Sequence, residues 1–535
     1  MQHPTRDSLP FRVGVPPFSG GSMTTVITCK IGDSKGVPRI WLEGEKLARA
    51  GVSVGAKYSI KELPEEGSIE LVPLQDALGA TTTCNVSKRV RNGIERPLME
   101  IRTKFLSTFF AGMEKVRVAI KRGRIIVSAL KIELQIRARV ARLKAKLAAN
   151  QKLKVASLFM GAGVLDRALH MGLLAAGVAS VIQIGVELEP EYLESSLRNN
   201  VVLWDEDSVA ACGDIRDLEL GDLVDCESEI LAAGVPCTGA SIGGLARLGL
   251  DNAEDHPEAG SLFVDFIEAV KLFNPAAVVM ENVKTYRNTA SMSVIRSKLE
   301  SYGYQLFEEV LDGNDFGALE DRQRLVLVGI TRGLETDFSF DNLRATVIKP
   351  ASLGEVLEDV PLDSPSWKPY EYLVAKEARD KAAGKFFART MVNPESERVP
   401  TVTKFYAKAQ STGVFLQHPT SPLLSRLLTP VEHARVKGIP ESMIAGLSAT
   451  VAHEVLGQSV VFPQFESLGR ELGLALNMVH RDPERVLELR SGKSVRSQHE
   501  RSESDVDAGA HAEVAVVVPT PLPMVQQQLF EFEAA

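Results

Sequence analysis

The sequence predicts an α/β protein built on a doubly wound, mostly parallel sheet, with a small lobe inserted late and a β-rich, basic extension in front. Three observations carry this. From Lys154 onward, apolar runs of strand length alternate with helical stretches, the pattern of a parallel sheet covered on both faces. The first of these runs breaks into a glycine-rich turn that opens a helix. Before Lys154, and again between residues 331 and 425, the alternation is absent. A chain of 535 residues is too long for one core, since domains run to roughly 100–200 residues. With 44% hydrophobic and 24% charged residues it is neither a collagen, a coiled-coil rod nor a wholly disordered chain.

Residues 1–22, rich in Pro, Gly and Ser, read as a disordered leader. Residues 23–110 read as a small β-rich module: short alternating runs at 26–31, 39–42 and 58–60 are separated by Gly, Asp and Ser turns. Within it, Thr24 to Leu74 resembles the swapped-hairpin DNA-binding modules of bacterial transition-state regulators and related antitoxins. Residues 111–150 hold a strand pair, 116–120 and 124–127, joined across Arg122-Gly123, and then a basic amphipathic helix, Lys131–Ala148. In the 151–330 domain the strands fall at 155–159, 181–186, 209–212, 230–233, 277–280 and 325–330. Residues 331–425, with several prolines and scattered aromatics, form a separate lobe. The strand and helix style returns over 426–489, and the charged, Ser-rich and Pro-rich stretch 490–535 reads as a disordered tail.

Cys29, Cys84, Cys212, Cys226 and Cys237 form no CxxC pair and no Cys/His ligand spacing, so neither a disulfide framework nor a metal site is expected. No run reaches the roughly 18 apolar residues of a membrane span and no secretory pattern is present, so the chain is expected in the cytoplasm, with the nucleoid. The net charge of −8 hides an imbalance: residues 85–154 carry 19 Lys and Arg against 4 Asp and Glu, leaving −23 for the remainder. Such a block is either a solvated helix face or a phosphate-binding surface.

Ligands of doubly wound sheets bind at the carboxyl ends of the strands, so the chemistry is sought there. The first strand ends in Phe159-Met160-Gly161-Ala162-Gly163, where glycines let backbone approach a ligand, although a GxG is also an ordinary tight turn. The second ends at Glu187, a carboxylate suited to a ribose diol, and the third at Gly213-Asp214-Ile215, an acceptor suited to an adenine amine. No phosphate-cradling lysine follows the first turn, which favours S-adenosylmethionine over a nucleoside triphosphate. The fourth strand leads to Pro236-Cys237 in a loop rich in Gly and Ser, and the fifth to Glu281-Asn282-Val283. A thiol beside a carboxyl suits conjugate addition to a pyrimidine, the thiolate attacking C6 while a hydrogen bond at N3 draws off the developing charge.

These residues, with Gly317 to Arg324, Arg426 to Arg435, Gly438-Ile439-Pro440 and Gly457-Gln458-Ser459-Val460, stand in the motif order of the DNA cytosine-5 methyltransferases, and residues 154–470 resemble that family. The resemblance implies a class I, Rossmann-like catalytic domain, duplex DNA as partner and S-adenosylmethionine as methyl donor, without metal. It implies that Cys237 adds to C6 of a flipped-out cytosine, that Glu281 binds N3 and the exocyclic amine, and that Arg322 and Arg324 hold O2 and steady the cysteine loop. Phe159, Gly161, Gly163, Glu187, Asp214, Ile215, Pro236, Leu262, Gln458, Ser459 and Val460 match cofactor-contacting positions. Residues 331–425 fall where the family keeps its target-recognition domain; within them, Thr401, Thr403, Lys404 and Tyr406 offer side chains either to phosphates and bases or to a strand with a polar face.

The sequence departs from the family at Val164 and Gln458, at Ala259, and at Leu319-Glu320 where Pro-Gln is usual; Glu320 puts an extra carboxylate beside the arginines. Gln526, Leu529 and Phe530 resemble the short peptide with which bacterial proteins dock on the replication sliding clamp. Two rival functions are a tRNA cytosine-5 methyltransferase, separated by a methylation assay on duplex DNA against tRNA, and a noncatalytic DNA-binding regulator, for which Cys237→Ala would change nothing.

Overall fold

The computed structural model describes residues 23–34, 36–64, 67–74, 82–224, 227–236, 253–256, 259–334, 336–385 and 387–477. Cys226, Cys237 and the Gln526 to Phe530 peptide lie outside them.

The N-terminal region is a closed eight-stranded barrel. Its elements are β1 (Thr25–Ser34), β2 (Val37–Glu43), α1 (Glu45–Arg49), β3 (Lys57–Leu63), β4 (Ser68–Pro73), β5 (Thr83–Arg91), β6 (Ile94–Ile101), α2 (Lys104–Thr108), β7 (Lys115–Lys121) and β8 (Arg124–Ala129), in the spatial order β1-β2-β6-β5-β3-β4-β8-β7. The pair β7 and β8, expected as a hairpin outside the module, closes this barrel: β7 bonds back to β1, and Val116, Val118 and Ile120 point into the shared core. The barrel is two copies of one ββαββ unit, because exchanging β1 to β4 with β5 to β8 returns the same list of neighbours. Register agrees. Cys29 faces Val116 of β7, and Cys84 faces Tyr58 of β3, which makes Thr28-Cys29-Lys30-Ile31 the counterpart of Thr83-Cys84-Asn85-Val86. Buried positions recur in pairs, Ile40 with Met99, Leu47 with Leu106 and Leu71 with Val127.

The basic helix α3 (Lys131–Ala148) follows, with Leu143 buried in the core of the next domain rather than in that of the barrel. That domain runs β9 (Leu153–Leu158), α4 (Val164–Ala175), β10 (Ser180–Glu187), α5 (Pro190–Asn199), β11 (Val209–Cys212), β12 (Ile230–Gly234), α6 (Leu262–Phe273), β13 (Ala277–Val283), α7 (Ala290–Ser301), β14 (Tyr304–Asp312), β15 (Glu320–Asp321) and β16 (Gln323–Thr331). Seven of its strands form a sheet in the order β11-β10-β9-β12-β13-β16-β14, parallel except for β16, which runs against both its neighbours. Strand order therefore reverses between β9 and β12, and the crevice at that switch point is where such a sheet binds ligand. The sequence reading contained every strand of this sheet except β14.

The lobe contains α8 (Glu371–Ala382), β17 (Thr390–Val392), β18 (Val399–Pro400), β19 (Val414–Gln417) and β20 (Ser425–Arg426), around a small core of Leu353, Trp367, Val402, Tyr406 and Leu416. It is tied back by β18, which pairs with β15. The return is helical rather than mixed: α9 (Pro430–Val436), α10 (Ala449–Gln458) and α11 (Phe462–Asn477), the last lying along α4. Among the described residues no helix is long and apolar enough to cross a membrane, and no group of three or more His, Cys, Asp or Glu could hold a metal ion.

Candidate active site

The turn after β9 is built from backbone that few residues tolerate. Phe159, Gly161 and Gly163 all have positive φ, at 56°, 57° and 75°. At Gly163 a Cβ would lie 2.7 Å from Ser196 Oγ and 3.2 Å from Asn200 Nδ2, so only glycine fits. Glu187, at the neighbouring tip of β10, accepts hydrogen bonds from Gly161 N–H at 2.7 Å and Glu189 N–H at 3.0 Å. Burial raises its carboxyl, and these amides pull the other way. Gln458, at the end of α10, closes the same turn from the far end of the sequence, its Nε2 being 3.8 Å from where a Cβ on Gly161 would sit. Ser459 follows, its hydroxyl donating to Leu456 O, and Val460 is buried. Ile215 and Leu262 are buried on the other side of the crevice. Asp214 is committed locally: its carboxylate receives both the backbone N–H and the guanidinium of Arg216, which holds it down at about 2.

The second half of the site lies one strand over. In register, Gly234 at the end of β12 faces Glu281 in β13, and a Cβ on Gly234 would come 3.8 Å from Glu281 Oε2. The chain leaves this point as Val235-Pro236, with Cys237 next in sequence. Asn282 fixes that exit, its buried amide donating to Val235 O at 3.1 Å. Glu281 Oε1 is 2.8 Å from Arg324 Nε. Burial pushes the Glu281 carboxyl up, against the opposing pull of Arg324, Arg322 and Lys437. Arg322 is buried and donates to Gly457 O at 3.0 Å, so it joins the arginine segment to the end of α10.

The extra carboxylate of Glu320 does not face the crevice. It is fully buried, accepts from Val402 N–H at 2.7 Å and pairs with Lys437 at 2.9 Å. The sequence reading missed Lys437 and gave no role to Asn282; only the position of Asn282 beside a strand-tip carboxylate pointed to it.

In the lobe, Tyr406 is not a base or phosphate contact but a core residue, 2% exposed, whose hydroxyl donates to Val414 O and accepts from Leu428 N–H. Thr401 donates to Asp321 O, and Lys404 lies over the ring of Tyr192. Thr403 backbone crosses Gly457 so closely that a Cβ there would lie 2.3 Å from its carbonyl carbon. These residues hold the lobe to the catalytic domain.

Residues 153–474 match the family model of the C-5 cytosine-specific DNA methylases. Type II methyltransferase M.NlaX of Neisseria lactamica is 30% identical over 276 residues, which is 50% of this chain and 82% of that protein. Type II methyltransferase M1.ScrFI of Lactococcus lactis subsp. cremoris is 29% identical over 265 residues, 49% of this chain and 65% of that protein. Among solved structures, the S. pombe Dnmt2 methyltransferase is 19% identical, with 62% of this chain and 100% of that chain covered and a TM-score of 0.48. Since the family model spans well over half of the sequence, the chain belongs to the C-5 cytosine-specific DNA methylases and is by that membership a DNA (cytosine-5-)-methyltransferase.

Proposed function

We propose that the protein methylates C5 of a flipped-out cytosine in duplex DNA through a covalent bond between Cys237 and C6. The observation that carries this reading is the partly buried Glu281 beside the exit of β12, an exit pinned by Asn282 and leading within three residues to Cys237. Burial raises this carboxyl, which favours the protonated form able to hydrogen-bond N3 as the ring gains electrons. The Cys237 thiolate adds to C6, Glu281 steadies the charge at N3, and Arg322 and Arg324 hold O2 and the cysteine loop. When bound, S-adenosylmethionine supplies an electrophilic methyl group. The residues that would hold it are Phe159, Gly161, Gly163, Glu187, Asp214, Ile215, Pro236, Leu262, Gln458, Ser459 and Val460; a turn open at Gly161 and a carboxylate at Glu187 fit a nucleoside. After transfer, C5 loses its proton to water, the C6–S bond breaks, and the thiolate leaves. Extrusion costs a few kcal/mol of stacking, which interactions with the flipped base must offset. On the same reading Gln526, Leu529 and Phe530 would seat on the sliding clamp.

The test uses duplex oligonucleotides carrying 5-fluorocytosine, whose C5 cannot release a proton. With the methyl donor, the full chain should form an adduct linked at Cys237, and Cys237→Ala should form none. A protein that transfers labelled methyl to duplex DNA with no such adduct overturns the mechanism, and transfer to tRNA alone overturns the substrate.

A further inference from the structure

Behind Glu281 one carboxylate serves two cations. Glu320 Oε2 is 2.9 Å from Lys437 Nζ, while its Oε1 accepts from Val402 N–H and lies 3.6 Å from Arg322 Nη1. All three charged side chains are buried, at 0%, 0% and 2% exposure. Among the described residues Glu320 is the one ion-pair partner of Lys437. Attraction falls with distance, so Lys437 has the stronger hold on Glu320 and Arg322 the weaker. Lysine carries its charge as a point on a flexible stem, whereas the arginine fork is planar and directional. With Glu320 already neutralised, the Arg322 fork reaches the Gly457 carbonyl, where the arginine segment meets the end of α10.

We propose that Lys437 is a positioning residue that cancels the charge of Glu320 and so keeps Arg322 on the Gly457 carbonyl, at the end of α10, instead of collapsing onto its carboxylate neighbour. The inference rests on the reading of Arg322 given above. It explains how this chain carries a glutamate where its family usually has glutamine: the compensating cation comes from the turn after α9, 117 positions further along the chain.

A buried pair responds in a characteristic way. Removing one partner strands the other charge, whereas removing both is often neutral. In the full chain, Lys437→Met should lower kcat by about 10-fold or more with KM for DNA changed much less, and Glu320→Gln should also be impaired although it installs the usual residue. The double variant E320Q/K437M should return to within about 3-fold of the parent. Losses that multiply in the double variant overturn the proposal, as does an E320Q that is unimpaired. If K437M fails to fold, E320Q set against the double variant carries the same test. Thermal unfolding of the same set separates the two readings. A parent chain that transfers no methyl refutes the function, while singles that melt lower and a double that recovers still support the pair, and singles and double that melt in proportion refute it.

Discussion

Asp166 sits in α4 behind the glycine turn, 3% exposed, and burial pushes its carboxyl up from 3.8 to about 6. A carboxyl raised in the fold prefers to be protonated there. Its contribution to stability is therefore fully present below the unfolded value and is lost as pH rises through about 6. A shift of about two units corresponds to about 3 kcal/mol. Asp166→Asn cannot ionise, so its stability relative to the parent chain should improve by about 3 kcal/mol between pH 4 and pH 7. Denaturant unfolding of both proteins across that range measures it, and a difference that does not change with pH refutes it. Residues of this kind separate what a sequence discloses from what it withholds. Gly163, Glu187, Glu281 and Arg324 can be picked out because a strand tip narrows the choice of side chain to the chemistry required. Lys437 cannot, because its meaning lies entirely in a 2.9 Å distance to Glu320. Tyr406 misleads because a ring with a hydroxyl suits a DNA-facing surface and a hydrogen-bonded core position equally.

The helix α3 is legible from Lys131 to Ala148, yet its charge points to the wrong role. Arg139, 1% exposed, donates to Thr331 Oγ1 and to the carbonyls of Tyr302 and Gly303, with its guanidinium over the ring of Tyr304. Arg142 and Lys146 both pair with the fully buried Glu229, at 2.9 Å and 2.7 Å. Arg137 turns the other way and donates to Phe109 O of the barrel. The helix is thus a clamp between two cores, gripping the sheet at the ends of the strands away from the crevice. Arg139→Met leaves buried carbonyls without donors and should destabilise the full chain by about 3 kcal/mol in equilibrium unfolding. Exposed Lys144→Met on the same helix should stay within about 0.5 kcal/mol. Equal effects would show that the helix carries no such clamp. The strands are legible for the same local reason as the helix, through periodicity. The exception, β14, sets adjacent Glu308 and Glu309 between the apolar pairs Leu306-Phe307 and Val310-Leu311 and so breaks the alternation, and the internal repeat of the barrel hides because its copies share apolar character rather than identity, Ile40 standing for Met99.

The +15 block was expected to be either a solvated face or a phosphate surface, and part of it is spent on ion pairs and buried contacts instead. Arg89 and Arg91 pair with Glu43, Arg96 with Glu45 and Arg124 with Glu70, so that cations of the second barrel copy meet acids of the first. Arg139, Arg142 and Lys146 are spent in the clamp. The exposed cations that remain include a stripe along β7, Lys115, Arg117 and Lys121, with Lys30 opposite Lys115 on β1. If the barrel meets DNA, this stripe is where released counterions would be counted. Removal of residues 1–130 takes away 20 Lys and Arg and 12 Asp and Glu, which leaves a chain of net charge −16. Cutting before Lys131 matters, because a deletion through α3 would strand Glu229 in the interior without its cations. The truncated protein should bind duplex DNA more weakly, and its affinity should depend less steeply on salt, by a slope of about 0.9 for each phosphate that it no longer neutralises. In the full chain, replacing Lys115, Arg117 and Lys121 together with Gln should reproduce up to about 2.7 of that slope change. If the truncated and parent proteins show the same salt dependence, the barrel does not touch the phosphates, and its attachment to the catalytic domain serves something other than DNA affinity.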